Sequence, residues 1–448
     1  MKYFKIYFNL ILIFINQPLN FINQLTKSNW KTLGRAIMNE SPRQIIINAK
    51  KLLRKTKTDS IQNIEKNIIT FHKSLPKDNK RICVFITHEA SRTGAPLIIL
   101  NLGRHISKSQ NLHPIFLICK DGTLNKEFKN SGSTYSFKFS HNNQLLKQEL
   151  NKVFTPKLKR KIKGIIFNSE GSTFLLKYFK YMELGPRIAL IHEMADYYPK
   201  NSWKHLNKYA DKIVFPANVM KSQAQHNSYL NLSKLYVRGQ GLLKPELLKL
   251  DKQNARTALR KKLVIPRDSF IILGCGTPIA RKGFDIFILT AISVLSHKRT
   301  KNTYFLWLGD APFNEHQLWA KRDINQSGHL KNIILQETVS DTSVWFAGSD
   351  VFYLTSRGDP YPCVVHEAFA SQLPVIAYKG TGGSEEMINE SRGFLCEYGN
   401  ILEATKYIEL LRKNDELLKE KGKFAFNYAN LELDFALYSK YIFELIEE

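Results

Sequence analysis

The stretch RICVFITHEASRTGAPLIILNLGRHI, residues 81–106, decides the fold class. It begins as an apolar run rich in Ile, Val and Phe, passes through a loop that contains Gly94, and ends in a helical pattern. The same strand–loop–helix order returns at residues 113–132, HPIFLICKDGTLNKEFKNSG, and at residues 163–179, KGIIFNSEGSTFLLKYF. Short apolar strands that alternate with helices predict a parallel sheet covered by helices on both faces.

The alternation repeats in the second half of the chain, at SFIILGCGT (269–277), TYFLWLGD (303–310) and VFYLTSRGDPYP (351–362). The fold class predicted is therefore α/β, with two Rossmann-like doubly wound domains that face each other across a cleft. The predicted boundaries are 1–78 for a basic helical extension, 79–245 for an acceptor domain, 246–426 for a donor domain, and 427–448 for a C-terminal helix that packs back across the junction.

The chain of 448 residues has a formal net charge of +27. Such an excess of Lys and Arg attracts polyanions such as phosphorylated small molecules, anionic lipid or nucleic acid. A solvated basic surface explains the charge equally well. Nucleic acid ranks below the others because the sequence has no RNA- or DNA-binding motif.

Five cysteines lie far apart, and none forms a C-x-x-C pair. Their odd number, and the apolar runs around Cys83 and Cys119, predict buried reduced thiols and a cytoplasmic location. The apolar stretch 6–15 is shorter than the roughly 20 residues that span a bilayer. We expect it to form either a peripheral anchor on the inner face of the membrane or a buried helix.

The strongest local signal is DPYPCVVHEAFASQ, residues 359–372. Pro360 and Pro362 indicate a helix start, so Glu367 falls in the second turn and its carboxylate can face the same mouth as Asp359. Two carboxylates there can bind hydroxyls of a sugar and of a ribose. The backbone amides near Cys363 and Val364, with the helix dipole, suit a diphosphate.

A second cluster, GCGTPIARKGF (274–284), places Gly276 after a strand and Arg281 and Lys282 where the next helix begins. A lysine there can neutralise charge on a departing phosphate. Taken alone, the cluster is also explained as a tight turn with a solvated basic pair.

Two further candidates lie in the first half of the chain. In HEASRTGAP (88–96), the small residues Thr93, Gly94 and Ala95 allow a phosphate or sugar to approach the backbone. His192 ends a strand near the expected cleft, although a lone histidine is more often structural than catalytic. No two aspartates lie two positions apart, so the D-x-D metal clamp is missing and no metal site is predicted.

Together these segments resemble the group 1 family of retaining glycosyltransferases with the GT-B fold. The resemblance covers roughly residues 80–430 and is strongest over 270–396. There, SRGDPYPCVVHEAFASQLPVIAYKGTGGSEEMI (356–388) looks like the family's acidic-x7-Glu motif with the loop that follows it. HEASRTGAP looks like the N-terminal loop of a polysaccharide-type subgroup.

The resemblance implies roles for the matching positions. Glu367 would bind the ribose, Asp359 the donor sugar, and Lys282 the diphosphate. His192 would lie near the reacting sugar, and Gly94 near the pyrophosphate. The loop that would line the donor site contributes Gly382, Gly383 and Glu386.

The chain departs from the family in two places. Asp359 stands where many members have Glu, which shortens the reach to the sugar. Gly276, six residues before Lys282, stands where many members carry Arg, and Arg281 is the expected substitute. The alternative to an active enzyme is therefore a weak or inactive GT-B scaffold that binds membrane or partner enzymes.

The activity implied is the transfer of a sugar, with retention of configuration, from a UDP- or GDP-sugar to a glycan or lipid-linked acceptor. It belongs to cell-surface polysaccharide or lipopolysaccharide synthesis. The nucleotide sugar is a co-substrate, and no cofactor, metal or nucleic-acid partner is expected.

Overall fold

The computed structural model describes residues 69–71, 80–137, 143–197, 200–226, 230–297, 300, 302–310 and 315–448. The chain divides into two compact units, one of residues 1–70 with 138–153 and the other of 71–137 with 154–448. The predicted basic extension and its N-terminal apolar stretch lie outside the described residues, except for 69–71, which form a strand rather than a helix. Both large sheets described below belong to the second unit.

The strands are short and rich in Ile, Val and Phe, as expected for strands buried on both faces. Their bounds are β1 (Ile69–Phe71), β2 (Ile82–Thr87), β3 (His113–Ile118), β4 (Ser133–Phe137), β5 (Ile162–Asn168), β6 (Arg187–Leu190), β7 (Lys212–Phe215), β8 (Leu235–Val237), β9 (Phe270–Cys275), β10 (Thr303–Asp310), β11 (Ile333–Glu337), β12 (Val351–Leu354), β13 (Val375–Tyr378) and β14 (Gly393–Cys396).

The α-helices lie mainly between these strands. Their bounds are α1 (Gly94–Ser109), α2 (Asn125–Ser131), α3 (Asn143–Val153), α4 (Pro156–Lys159), α5 (Leu176–Tyr181), α6 (Lys200–Tyr209), α7 (Asn218–Gln225), α8 (Lys252–Leu263), α9 (Phe284–Leu295), α10 (Glu315–Ser327), α11 (Ser343–Gly348), α12 (Cys363–Ala370), α13 (Ser384–Met387), α14 (Ile401–Lys413), α15 (Asp415–Glu432) and α16 (Phe435–Glu447). Among the described residues, no helix has both the length and the apolar character needed to cross a membrane.

Two parallel sheets organise the second unit. The first runs in the order β4-β3-β2-β5-β6-β7-β8, and the second in the order β11-β10-β9-β12-β13-β14. In each of these orders the strand that comes first in the chain, β2 or β9, is central. The next two strands extend the sheet on one side of it and the later strands extend it on the other side, which is the doubly wound arrangement of a Rossmann-like domain. The predicted α/β fold with two such domains is confirmed.

Separate apolar cores pack against the two sheets, and all five cysteines are free. Helix α16 packs on the first sheet although it follows the second in the chain, and Ile446 lies against Gly164 of β5. The segment that leads into α16 pairs with the linker that joins the first domain to the second, because the Leu242 amide donates to the Leu433 carbonyl at 2.7 Å. Two segments therefore cross side by side between the sheets.

Candidate active site

The candidate site lies where the order of the second sheet reverses, between the adjacent strands β9 and β12. Lys282 follows β9, and Asp359 and Glu367 follow β12. The carboxyl ends of parallel strands at such a reversal form the crevice in which α/β proteins bind ligands. Topology thus brings together three residues that the sequence places up to 85 positions apart (282 to 367).

Asp359 and Lys282 form an ion pair at this edge. The lysine side chain is 17% exposed and the aspartate side chain 9%, so water screens the pair poorly. Ser356 Oγ donates a further hydrogen bond to Asp359 Oδ2 at 3.3 Å. The lysine predicted to bind phosphate is thus paired with the carboxylate predicted to bind the sugar.

Two glycines hold the backbone of the Asp359 loop. Gly382 has a φ of +132° and bridges Asp359, and a Cβ there would lie 2.0 Å from the Asp359 carbonyl oxygen. Gly383 donates its amide to the Pro360 carbonyl at 2.9 Å, and a Cβ there would lie 2.2 Å from that oxygen. Only glycine permits this approach. Both glycines support the loop, and their contact with a donor stays a prediction.

Glu367 is buried in α12 and meets a lysine that the sequence analysis missed. Lys244 Nζ lies 3.1 Å from Glu367 Oε2, and Thr342 Oγ1 donates to the same oxygen at 2.9 Å. Lys244 comes from the linker and Thr342 from the segment before α11. No local motif indicates this lysine, because linker and helix are more than 100 residues apart and meet only in the fold.

The start of α12 offers backbone amides to an anion. Pro362 is the residue before the helix, and no side chain caps it. The side chains of Cys363 and Val364 are partly exposed there. Amides at a helix start bind anions together with the helix dipole. From the first domain, Gly94 faces this point, since a Cβ built on it would lie 3.6 Å from Cys363 Sγ.

Gly276 and Arg281 both lie against protein groups of the loops at this edge. Gly276 has a φ of +143°, where a side chain would be strained, and the stem of Lys282 packs beside it. Arg281 donates from its guanidinium to the Gly358 carbonyl at 3.0 Å. Arg281 therefore supports the loop that carries Asp359, and its predicted role in neutralising phosphate remains untested.

Glu386 reaches the first domain. Its Oε1 accepts from the Val219 amide at 2.9 Å and its Oε2 from Asn218 Nδ2 at 3.1 Å. Those groups lie at the start of α7, where a carboxylate stabilises the exposed amides and the helix dipole. Glu386 thus joins the two domains, and its predicted contact with the donor stays a prediction.

His192 lies at the carboxyl edge of the first sheet, after β6. Its Nε2 is 2.7 Å from Asn168 Oδ1 and its Nδ1 is 2.6 Å from Gln240 Nε2. Asn168 also donates to the carbonyl of Ala95 at 2.9 Å. Gly94 and Ala95, predicted to lie in a loop, form the first turn of α1, and Thr93 is the residue before that helix. The structure therefore connects His192 with the start of α1, whereas no sequence motif indicates Asn168 or Gln240.

Two doubly wound domains that follow one another in the chain have the architecture of the GT-B fold. The crystal structure of Anabaena HepE in complex with UDP and glucose has a TM-score of 0.70 at 16% identity, over 82% of this chain and 99% of that one. The structure of WaaG, a glycosyltransferase involved in lipopolysaccharide biosynthesis, has a TM-score of 0.60 at 15% identity, over 81% and 99%. The chain has the GT-B fold.

Residues 255–427 match the model of the family Glycosyl transferases group 1. An uncharacterized glycosyltransferase of Haemophilus influenzae is 32% identical over 166 residues, 37% of this chain and 45% of that protein. The lipopolysaccharide core biosynthesis glycosyltransferase LpsD of Rhizobium meliloti is 28% identical over 162 residues, 36% of this chain and 44% of that protein. The matches thus span less than half the length of these two relatives.

Proposed function

We propose that this chain transfers a sugar, with retention of anomeric configuration, from a nucleoside diphosphate sugar to a glycan or lipid-linked acceptor. The names of its relatives support a place in cell-surface polysaccharide or lipopolysaccharide synthesis. The observation that carries the proposal is the convergence of Lys282, Asp359 and Glu367 at one switch point, beside the start of α12.

In this proposal the diphosphate displaces Asp359 from Lys282. The ammonium group then neutralises the phosphate, together with the amides at Cys363 and Val364. The released Asp359 carboxylate accepts hydrogen bonds from hydroxyls of the sugar. Glu367 accepts hydrogen bonds from the ribose hydroxyls and keeps its ion pair with Lys244. One ion pair is exchanged for another, so the lysine is paired both before and after the donor binds.

Transfer then breaks the bond between the anomeric carbon and the phosphate oxygen, and the acceptor hydroxyl oxygen bonds to that carbon from the same face. The hydroxyl proton passes to the leaving phosphate. Lys282 stabilises the charge that grows on the phosphate, which is where catalysis gains most from a fixed cation. Because the lysine and the helix amides carry this charge, the proposal needs no metal ion.

The donor can be identified in two stages. Nucleoside diphosphates are first screened for thermal stabilisation of the full chain, because a ligand bound only by the folded state raises the melting temperature. UDP- or GDP-sugars are then incubated with lipid-linked glycan acceptors, with and without a chelator, and the product's anomeric configuration is read by NMR. Stabilisation without transfer to any acceptor would favour the scaffold alternative, and an inverted product or a loss of activity with chelator would contradict the mechanism.

A further inference from the structure

A directed chain of hydrogen bonds crosses the junction between the two domains through His192. Gln240, on the linker, is 3% exposed, and Asn168, at the end of β5, is fully buried. Each amide has two partners that fix which way it points. Asn168 Nδ2 donates to the Ala95 carbonyl at 2.9 Å, so its Oδ1 must be the atom that faces His192.

The same reasoning orients Gln240. Its Oε1 lies 3.9 Å from Cys363 Sγ, which donates to it, so its Nε2 faces His192 Nδ1 at 2.6 Å. An amide nitrogen only donates, and therefore His192 Nδ1 must accept. The ring proton then sits on Nε2 and is donated to Asn168 Oδ1. Every hydrogen bond in this series runs in one direction, from the start of α12 to Ala95 in the first turn of α1.

We propose that Gln240 is a positioning residue that holds His192 as the neutral Nε2–H tautomer and thereby connects α12 with the first turn of α1. His192 then neither takes nor gives a proton during transfer, because both of its ring nitrogens are engaged by protein groups. Its part in the reaction is to fix the two sides of the donor cleft against each other. The effect on transfer rests on the proposed function, whereas the tautomer does not.

The surroundings of His192 agree with a neutral ring. Burial lowers the pKa of His192 to about 4. The charge of Glu193 acts to raise this pKa, and that of His88 acts to lower it further. Glu193 directs its carboxylate elsewhere, since Oε2 accepts from the backbone amides of His192 at 3.0 Å and Glu170 at 3.1 Å. The Glu193 carboxylate is therefore engaged by backbone amides.

The test is nitrogen NMR of the full chain with labelled histidine, which distinguishes protonated from unprotonated ring nitrogens. The His192 signal, one of 12 histidines, is assigned by its loss in the His192→Gln variant. We expect one Nε2–H tautomer that stays neutral from about pH 8 down to about pH 5, where an ordinary histidine takes up a proton. A mixture of tautomers, an Nδ1–H ring, or protonation near pH 6.5 would overturn the proposal.

The Gln240→Glu variant adds a carboxylate against Nδ1 and tests the same contact. A carboxylate at hydrogen-bond distance favours the imidazolium, so the pKa of His192 should rise by about 1 to 3 units. Gln253→Glu, which adds the same charge at an exposed position of α8, should leave the signal unchanged. Equal behaviour of the two variants would show that Gln240 does not hold the ring.

The same preparations are assayed for transfer, so that the two proposals are separated. A wild-type ring in the expected tautomer with no transfer to any acceptor would leave the positioning role intact and count against the proposed function. Transfer by a protein whose His192 titrates normally would support the proposed function and count against the positioning role. We also expect His192 to cause no inflection in the pH profile of the transfer rate between about pH 5 and 8. Any inflection that the wild type shows in this range should therefore also be present in the His192→Gln variant.

Discussion

Replacing Lys282 by methionine leaves the Asp359 carboxylate without its partner in a shielded position. The side chains are 17% and 9% exposed, and the remaining contact of Asp359 Oδ2 is Ser356 Oγ at 3.3 Å. Methionine keeps the length and the packing of the lysine stem against Gly276, so the substitution removes the charge with little change in volume. The loss of stability therefore reports the ion pair.

The magnitude lies between two limits. Breaking a fully buried pair costs about 3–5 kcal/mol, and breaking an exposed pair costs about 1 kcal/mol or less. For a pair shielded to this degree we expect about 2 kcal/mol. A domain of this size loses roughly 2–4 °C of melting temperature per kcal/mol, so Lys282→Met should unfold about 4–8 °C lower.

The double variant Lys282→Met, Asp359→Asn separates stability from activity. It removes the unpaired carboxylate, so it should recover at least half of the lost melting temperature in a calorimetric scan. Transfer should stay abolished, because neither the phosphate nor the sugar has its partner. The reasoning is refuted if Lys282→Met is as stable as the wild type, or if the double variant is no more stable than Lys282→Met.

Three further substitutions test the site and its support. Gly382→Ala should destabilise the chain by more than Gly380→Ala in urea titrations. Both positions have positive φ, but a Cβ at 382 would lie 2.0 Å from a carbonyl oxygen, whereas a Cβ at 380 would have nothing within 4 Å. Equal losses of stability would contradict the clash. Burial of His366 lowers its pKa to about 4, so below about pH 6.5 the folded state binds fewer protons than the unfolded state. The free energy of unfolding should therefore fall by about 3 kcal/mol as the pH drops from about 6.5 to about 4. His366→Leu should flatten that fall, and an unchanged pH dependence would argue against it. Glu367→Gln should weaken nucleoside diphosphate binding in calorimetric titrations, whereas Glu397→Gln, at an exposed ion pair, should not.

The strands of both sheets could largely be predicted from the sequence, because strands buried on two faces consist of continuous apolar runs. The runs at residues 82–87, 113–118 and 270–275 are all strands. The strand Ser133–Phe137 was missed because its sequence, STYSF, is mostly polar. The strand Leu235–Val237 was missed because three residues carry no readable pattern.

The site could be predicted only where chemistry and local sequence coincide. Asp359, Glu367 and Lys282 each follow a strand within a turn or a helix start, so their positions in the sequence predicted a shared edge. Lys244 and Gln240 could not be found in this way. Both lie in a linker with no regular pattern, and their partners are more than 45 residues away along the chain.

The sequence did not indicate the protein groups that Glu386 and Arg281 contact. Each sits beside a glycine-containing turn and carries a charge, which is the combination that suggests a ligand. In the fold, Glu386 binds the start of α7 and Arg281 binds the Gly358 carbonyl. Whether a charge near a turn faces a ligand or a backbone group depends on the partner element, and a single sequence does not contain that information.

The packing of α16 on the first sheet has a consequence for synthesis of the protein on the ribosome. Phe435, Tyr438 and Ile442 belong to the apolar core around β2 and β5, yet they are translated after the entire second sheet. A nascent chain halted before residue 435 exposes an incomplete apolar surface on its first domain, which is the condition under which chaperones are recruited and chains aggregate. We therefore infer that the first domain reaches its native packing only after α16 has left the ribosome.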